Sequence, residues 1–198
     1  MKKLLAIILI ISLIIPTTFI GYADDEMNYQ EFRDIEGHWA EDTIKKHHEM
    51  GMLRGYPDGT FKPDQQMKRS ELITLINKYF GLKEEDNHNF KDVLEKEWYA
   101  EETAKAKYYG YIKDLEARPE ELASREDVVN MVSLILDVEE QKLKGEKKDF
   151  TDLKDTDEKE NIEKFSQMGY ISGYEDGTFK PKEIINRAEI MTIVENVL

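Results

Sequence analysis

Apolar residues along the chain fall into three stretches with one spacing. Leu72, Ile73, Leu75, Ile76, Tyr79 and Phe80 follow an i, i+1, i+3, i+4 rhythm, which lays a wide apolar stripe along a helix of 3.6 residues per turn. Val128, Val129, Met131, Val132, Ile135 and Leu136 repeat it, and Ile190, Met191, Ile193, Val194, Val197 and Leu198 repeat it again. A shorter helix is expected ahead of each stripe, over residues 39–50 in the first case. Gly51 and Gly169 stand where such a helix needs a left-handed end. Between the two helices, residues 55–63 read GYPDGTFKP, a run of Pro and Asp-Gly turn signals that predicts a compact loop.

That loop returns at residues 173–181 as GYEDGTFKP, and the offset of 118 holds across both flanks. Phe32-x-Asp34 aligns with Phe150-x-Asp152, Arg69 with Arg187, and Glu71 with Glu189. A weaker middle copy begins at Phe90-x-Asp92, with Trp98 in the place of Trp39 and Arg125 in the place of Arg69. Its loop lacks the DGTF sequence and reads Lys113-Asp114-Leu115-Glu116-Ala117-Arg118-Pro119. In the last copy Asp157 and Glu158 stand where Trp39 and Ala40 stand in the first. The expected units are residues 32–82, 90–138 and 150–198, joined by solvated charged connectors at 83–88 and 139–149. A helix pair cannot bury its stripe alone, so the copies must pack together. The predicted class is mainly α: three helix-loop-helix repeats packed as one pseudo-threefold helical domain.

The start of the chain breaks the pattern. Lys2 and Lys3 precede an apolar run over residues 4–15, Pro16 ends it, and Gly21 and Ala23 supply small residues. This predicts a secretory signal peptide over residues 1–23, followed by a short segment, 24–31. A run of about 12 residues falls short of the ~20 that a spanning helix needs, so no membrane attachment is expected after cleavage. The 198-residue chain carries 28 Lys plus Arg against 42 Asp plus Glu, a formal charge of −14, and no cysteine. Such acidity repels a phosphate backbone and excludes nucleic-acid binding. The missing cysteine removes disulfides, thiolate nucleophiles and thiolate metal sites.

His38-Trp39-Ala40, the Gly51 turn, the GYPDGTFKP loop and Lys68-Arg69-Ser70-Glu71 together resemble the S-layer homology domain. The last group is similar to that family's Thr-Arg-Ala-Glu motif, and it returns as Ser124-Arg125-Glu126-Asp127 and Asn186-Arg187-Ala188-Glu189. The resemblance runs from Phe32 to Leu198. It implies grooves between neighbouring repeats and non-covalent attachment to the secondary cell-wall polysaccharide linked to peptidoglycan, usually through a pyruvylated N-acetylmannosamine unit. The groove-lining candidates it implies are Asp34, Asp92 and Asp152, Trp39 and Trp98, and Arg69, Arg125 and Arg187. The loop glycines Gly55 and Gly173 complete the set. Among groove pairings, Arg69 with Trp39 or Trp98 is expected to rank above one needing an aromatic from the third copy.

Those residue types suit that chemistry. A ketal carboxylate can be met bidentately by a guanidinium, and a helix start would add its dipole and free N–H groups. Aspartate accepts hydroxyl hydrogens, while an indole offers an apolar face and one donor. Each type also has a structural alternative. The arginines could pair with Glu71, Asp127 or Glu189, which with Ser124 and Asn186 already resemble capping boxes. The tryptophans could pack in the core, the aspartates could cap or close turns, and the glycines could serve turn geometry alone.

Catalysis is not expected. Only four histidines are present, the adjacent His47 and His48 cannot share one helical face, and no HExxH, phosphate loop or serine–histidine pattern occurs. The Asp-x-Asp-x-Asp-Gly spacing of a calcium loop is also missing. The expected protein is therefore a secreted, non-catalytic cell-wall-binding protein without cofactor or metal, and with no effector domain beside the three copies. The competing reading is an extracytoplasmic protein–protein adaptor or surface-layer component whose sugar grooves have degenerated, with a surface protein as its partner.

Overall fold

A computed structural model describes residues 32–85, 90–136 and 145–197, all within the compact unit Glu31–Leu198. The expected signal peptide, segment 24–31, His88, Leu198 and parts of both connectors lie outside the described residues. Among the described residues the regular structure is helical: α1 (Glu41–Glu49), α2 (Arg69–Tyr79), α3 (Ala100–Tyr109), α4 (Arg125–Leu136), α5 (Lys159–Gln167) and α6 (Arg187–Val197). One short 3₁₀ turn, Leu153–Asp155, precedes α5. No helix among them is long and apolar enough to cross a membrane.

Helices α2, α4 and α6 carry the three apolar stripes. Leu72, Ile73 and Ile76, Val128, Val129 and Val132, and Ile190, Met191 and Val194 are all buried. The shorter helices supply Ile44, Ala104, Ile162 and Phe165 to the interior. Each stripe is covered by the first helix of the next copy: α2 packs on α3, α4 on α5, and α6 on α1. Burying a leucine or isoleucine side chain contributes roughly 1.5–3 kcal/mol, which no single copy could collect with its stripe facing water.

Helix ends explain how the copies lock. The first amides of an α-helix have no partner inside it. Here they donate to loop carbonyls of another copy: Arg69 N to Glu121 O at 2.8 Å and Ser70 N to Pro119 O at 3.0 Å. Arg125 N and Glu126 N donate likewise to Glu183 O and Pro181 O, both at 2.9 Å. Arg187 N and Ala188 N reach Gln65 O at 3.1 Å and Pro63 O at 2.9 Å. One residue pair further in, Met67 N bonds Ile185 O, Ile185 N bonds Ala123 O, and Ala123 N bonds Met67 O. The first copy thus holds the second, the second the third, and the third the first. Three isolated antiparallel bridges, Gln66 with Asn186, Lys68 with Leu122 and Ser124 with Ile184, mark the same contacts. These inter-copy bridges have no period-2 signature in the sequence, since each is a single pair.

Caps complete the helices. Ser124 with Asp127 and Asn186 with Glu189 form reciprocal capping boxes, each acid accepting the cap residue's N–H and each cap oxygen taking the acid's own amide. At α2 only half the box forms: Glu71 accepts Lys68 N–H at 2.8 Å, and the lysine ammonium has no acceptor to return. Gly51, Gly110 and Gly169 take φ of +69°, +79° and +77° after α1, α3 and α5, the left-handed ends that glycine adopts without steric cost.

The first helix starts later than its pattern suggests. The α1 span opens at Glu41 rather than at residue 39, because the His38 ring accepts the Ala40 N–H at 3.1 Å and holds a turn there. Trp39 therefore stands ahead of the helix.

Candidate functional site

The three Phe-x-Asp aspartates have one geometry. Asp34 accepts Phe61 N–H at 2.8 Å and Lys62 N–H at 2.7 Å, one on each oxygen. Asp92 accepts from Ala117 and Arg118 at 2.9 and 2.6 Å, and Asp152 from Phe179 and Lys180 at 2.9 and 2.7 Å. The second donor is each time a non-glycine residue with positive φ: Lys62 at 56°, Arg118 at 52° and Lys180 at 56°. That conformation costs free energy in a residue with a side chain. Two charge-assisted bonds hold it in place. The aspartates thus clamp the loop that receives the next motif helix.

The motif arginines are also built into the junctions. Each guanidinium Nε donates to the carbonyl of the residue that the neighbouring copy's aspartate clamps. Arg69 bonds Ala117 O at 3.1 Å, Arg125 bonds Phe179 O at 2.9 Å and Arg187 bonds Phe61 O at 2.9 Å. Arg125 and Arg187 lie over the Phe179 and Phe61 rings at 4.6 and 4.5 Å, with Tyr174 and Tyr56 as second rings. Each arginine faces the acid of another copy, not of its own helix. Arg69 pairs with Asp127, Arg125 Nη1 lies 3.6 Å from Glu189, and the Glu71 charge acts on Arg187. The expected free amides at these helix starts are not free, since they are taken by the loop carbonyls of the neighbouring copy.

The glycines differ from the expected turn role. A Cβ on Gly55 would stand 2.1 Å from the Phe32 ring and 2.6 Å from Thr60 O, and one on Gly173 would stand 2.3 Å from Phe150 and 2.5 Å from Thr178 O. Neither has positive φ; that belongs to Gly59 at 77° and Gly177 at 81°. Gly55 and Gly173 are small so that a phenylalanine can lie on the backbone. Asp58 and Asp176 accept the Thr60 and Thr178 amides and hydroxyls, closing the loops.

Two grooves open beside this framework. The first, of about 260 Å³, is lined by Leu53, Arg54, Phe61, Glu71, Thr74, Leu75 and Lys78 of the first copy, Arg187 and Met191 of the third, and Trp98 of the second. The second, of about 220 Å³, is lined by Tyr170, Ile171, Ser172, Gly173, Tyr174, Glu189, Thr192, Ile193 and Asn196 of the third copy, Arg125 of the second and Trp39 of the first. Both tryptophans are exposed, Trp39 at 62% and Trp98 at 61%, and neither sits in the core. The pairing differs from expectation: Arg187 shares a groove with Trp98 and Arg125 with Trp39. Arg69, 4% exposed, lines neither. At its junction the clamped residue is Ala117 rather than a phenylalanine, and Asp157 stands where a tryptophan would.

Electrostatics separate the grooves. In the first, burial and then the neighbouring Arg54 charge hold the Lys78 ammonium below its usual range, and burial does the same to Arg187. In the second, burial pushes the Tyr174 hydroxyl up to about 12 while it donates to Glu183 at 2.9 Å. Sequence reasoning missed Arg54 and Lys78. The signal was present: Glu71, Thr74 and Lys78 share one face of α2 at i, i+3, i+7 spacing, and at the 118 offset the two cations become Ser172 and Asn196. Among the described residues no group of three or more His, Asp or Glu side chains is placed to hold a metal ion.

The S-layer homology domain model matches residues 31–73 and 149–191. These stretches hold Asp34, Trp39, Gly55 and Arg69, and then Asp152, Gly173 and Arg187. The chain is 30% identical over 165 residues to Cell surface glycoprotein 1 of Acetivibrio thermocellus, covering 74% of this chain and 7% of that protein. The Cellulosome-anchoring protein of the same organism is 46% identical over 48 residues, 24% of this chain and 11% of its own length. S-layer protein EA1 of Bacillus anthracis is 29% identical over 169 residues, 81% of this chain and 19% of its own. The chain thus spans less than a fifth of each of these relatives.

Proposed function

We propose that this protein anchors non-covalently to the cell surface by binding a cell-wall polysaccharide in the two inter-copy grooves. The observation that carries the reading is the repeated pairing of an exposed indole with a seated guanidinium across a groove: Trp98 with Arg187, and Trp39 with Arg125. An indole face stacks on a pyranose, and a guanidinium held by Nε still presents its outer N–H groups to hydroxyls or a carboxylate. Relatives named as cell-surface, S-layer and cellulosome-anchoring proteins support a surface location and an anchoring role. The finer reading is a pyruvylated amino sugar on the secondary polysaccharide as ligand. The role is binding rather than catalysis, and the protein is exported.

The test is a pull-down of the exported protein, residues 24–198 on the expected cleavage, with purified cell walls before and after chemical stripping of the secondary polysaccharide. Binding that disappears on stripping is the expected result. Retention on stripped walls, or no binding to intact walls, overturns the reading and turns the search to a protein partner.

A further inference from the structure

Seven lining positions of the first groove meet lining positions of the second at the 118 offset, and two of them differ in charge. Leu53, Glu71, Thr74 and Leu75 of the first correspond to Ile171, Glu189, Thr192 and Ile193 of the second. Arg54 and Lys78 correspond to Ser172 and Asn196. With one motif arginine and one acid in each, the Trp98 groove carries a surplus of cations and the Trp39 groove a balance. The two motif arginines are held alike: Arg125 donates to Phe179 O and Ser172 O and faces Glu189, and Arg187 donates to Phe61 O and Arg54 O. Arg54 and Lys78 pair with no carboxylate among the described residues, and Lys78 Nζ reaches only the Gly51 carbonyl, at 3.0 Å. Crowded like charges of this kind are relieved by an anion.

Building on the anchoring role proposed above, we infer that the two grooves read different parts of the glycan. The Trp98 groove takes a carboxylate-bearing sugar unit, with Arg54 and Lys78 as its specificity-determining residues. The Trp39 groove takes an uncharged unit through the Tyr174, Thr192 and Asn196 side chains. An acidic protein then grips an acidic polymer at one point where its own field is locally reversed.

The chain's two tryptophans make the test groove-resolved, because each indole N–H reports one groove by nuclear magnetic resonance. Trp39→Phe and Trp98→Phe assign the two resonances. The exported protein is titrated with an oligosaccharide released from the secondary wall polysaccharide, and with the same material after its carboxyl groups are reduced to alcohols. Reduction is expected to weaken the Trp98 response about tenfold or more and leave the Trp39 response within about twofold, since charge-assisted bonds to carboxylate are the stronger kind. Added salt should weaken the Trp98 response alone. The double variant Arg54→Ser with Lys78→Asn should reproduce the effect of reduction, with Trp39 as the internal control for folding. Equal loss at both indoles, or no loss at Trp98, overturns this inference while leaving the anchoring role standing. No response at either indole to either ligand overturns both.

Discussion

The Trp98 groove and the Trp39 groove share a frame and differ in what the frame presents. Both place a motif arginine over a phenylalanine of the next copy's loop, clamp that loop with an aspartate, and close one side with an indole. Every one of those parts except the indole also bonds the backbone or another copy. The Arg69 junction, the third of the set, keeps the arginine and the clamp but has neither indole nor phenylalanine. It is a buried seam. The comparison teaches that the motif residues build the junction, while neighbours of no motif, Arg54 and Lys78 against Ser172 and Asn196, set the chemistry of each groove.

The sharpest way to break that comparison is at the buried seam. Arg69→Ala removes a buried guanidinium and leaves the Asp127 carboxylate with its Ser124 cap bonds alone. Breaking a buried pair from one side costs about 3–5 kcal/mol, so denaturant unfolding should show a loss of that size. Arg187→Ala, at a partly open site, should destabilise less and lose wall binding more. If both substitutions cost the same stability, seam and groove are not different kinds of junction.

Next in size are the clamps. Asp34→Asn keeps one acceptor and sets an amide donor against a backbone donor, at a cost of about 2 kcal/mol. Amide hydrogen exchange should quicken at Phe61 and Lys62 in that variant and at Phe179 and Lys180 in Asp152→Asn. Crossed effects would mean that the copies do not hold their loops independently. Gly55→Ala and Gly173→Ala should each cost roughly 1–3 kcal/mol, the range for overpacking, because the added methyl meets both a ring and a backbone carbonyl. Matching values in the two glycine variants would support one frame behind both grooves.

The frame was largely legible in the sequence, and the grooves were not. Six helices follow from apolar stripes and glycine ends, since burial periodicity is a local property of the chain. The Asn186 and Ser124 caps follow for the same reason. Partner choice is not local. Nothing around Arg69 says that its carboxylate is Asp127, 58 residues on, or that Trp39 faces Arg125. Resemblance named ten groove candidates, and the structure places the two tryptophans and Arg125, Arg187 and Gly173 at grooves while the aspartates act on loop backbone. Asp114 shows the limit from the other side: the middle copy dispenses with the loop glycine, and it is the copy whose loop lines neither groove.

The smallest effect concerns the joints behind the grooves, which occupy matching positions with different chemistry. Behind the Trp98 groove, Asn77 of α2 donates to the Glu102 carbonyl at 2.9 Å and its carboxylate at 2.7 Å, and accepts the Tyr111 hydroxyl hydrogen at 2.6 Å. Behind the Trp39 groove, the residue 118 positions on is Glu195 of α6, bonded to Lys46 and 2.6 Å from His47 of α1. The Lys46 ammonium first, and the His47 ring after it, hold the Glu195 carboxyl below its ordinary value of 4.5. A depressed folded value means that this contribution is complete above pH 4.5 and is lost as the pH falls through the lower folded value. The Asn77 joint instead rests on the Glu102 carbonyl and the Tyr111 hydroxyl as well as on a carboxylate oxygen. On acidification α6 amides should therefore exchange earlier than α2 amides, and the Trp39 indole resonance should move before that of Trp98. Glu195→Gln should flatten the difference by weakening the α1–α6 joint at neutral pH. If α2 opens first, or both together with the variant unchanged, the charged joint is not what distinguishes the two sides of the molecule.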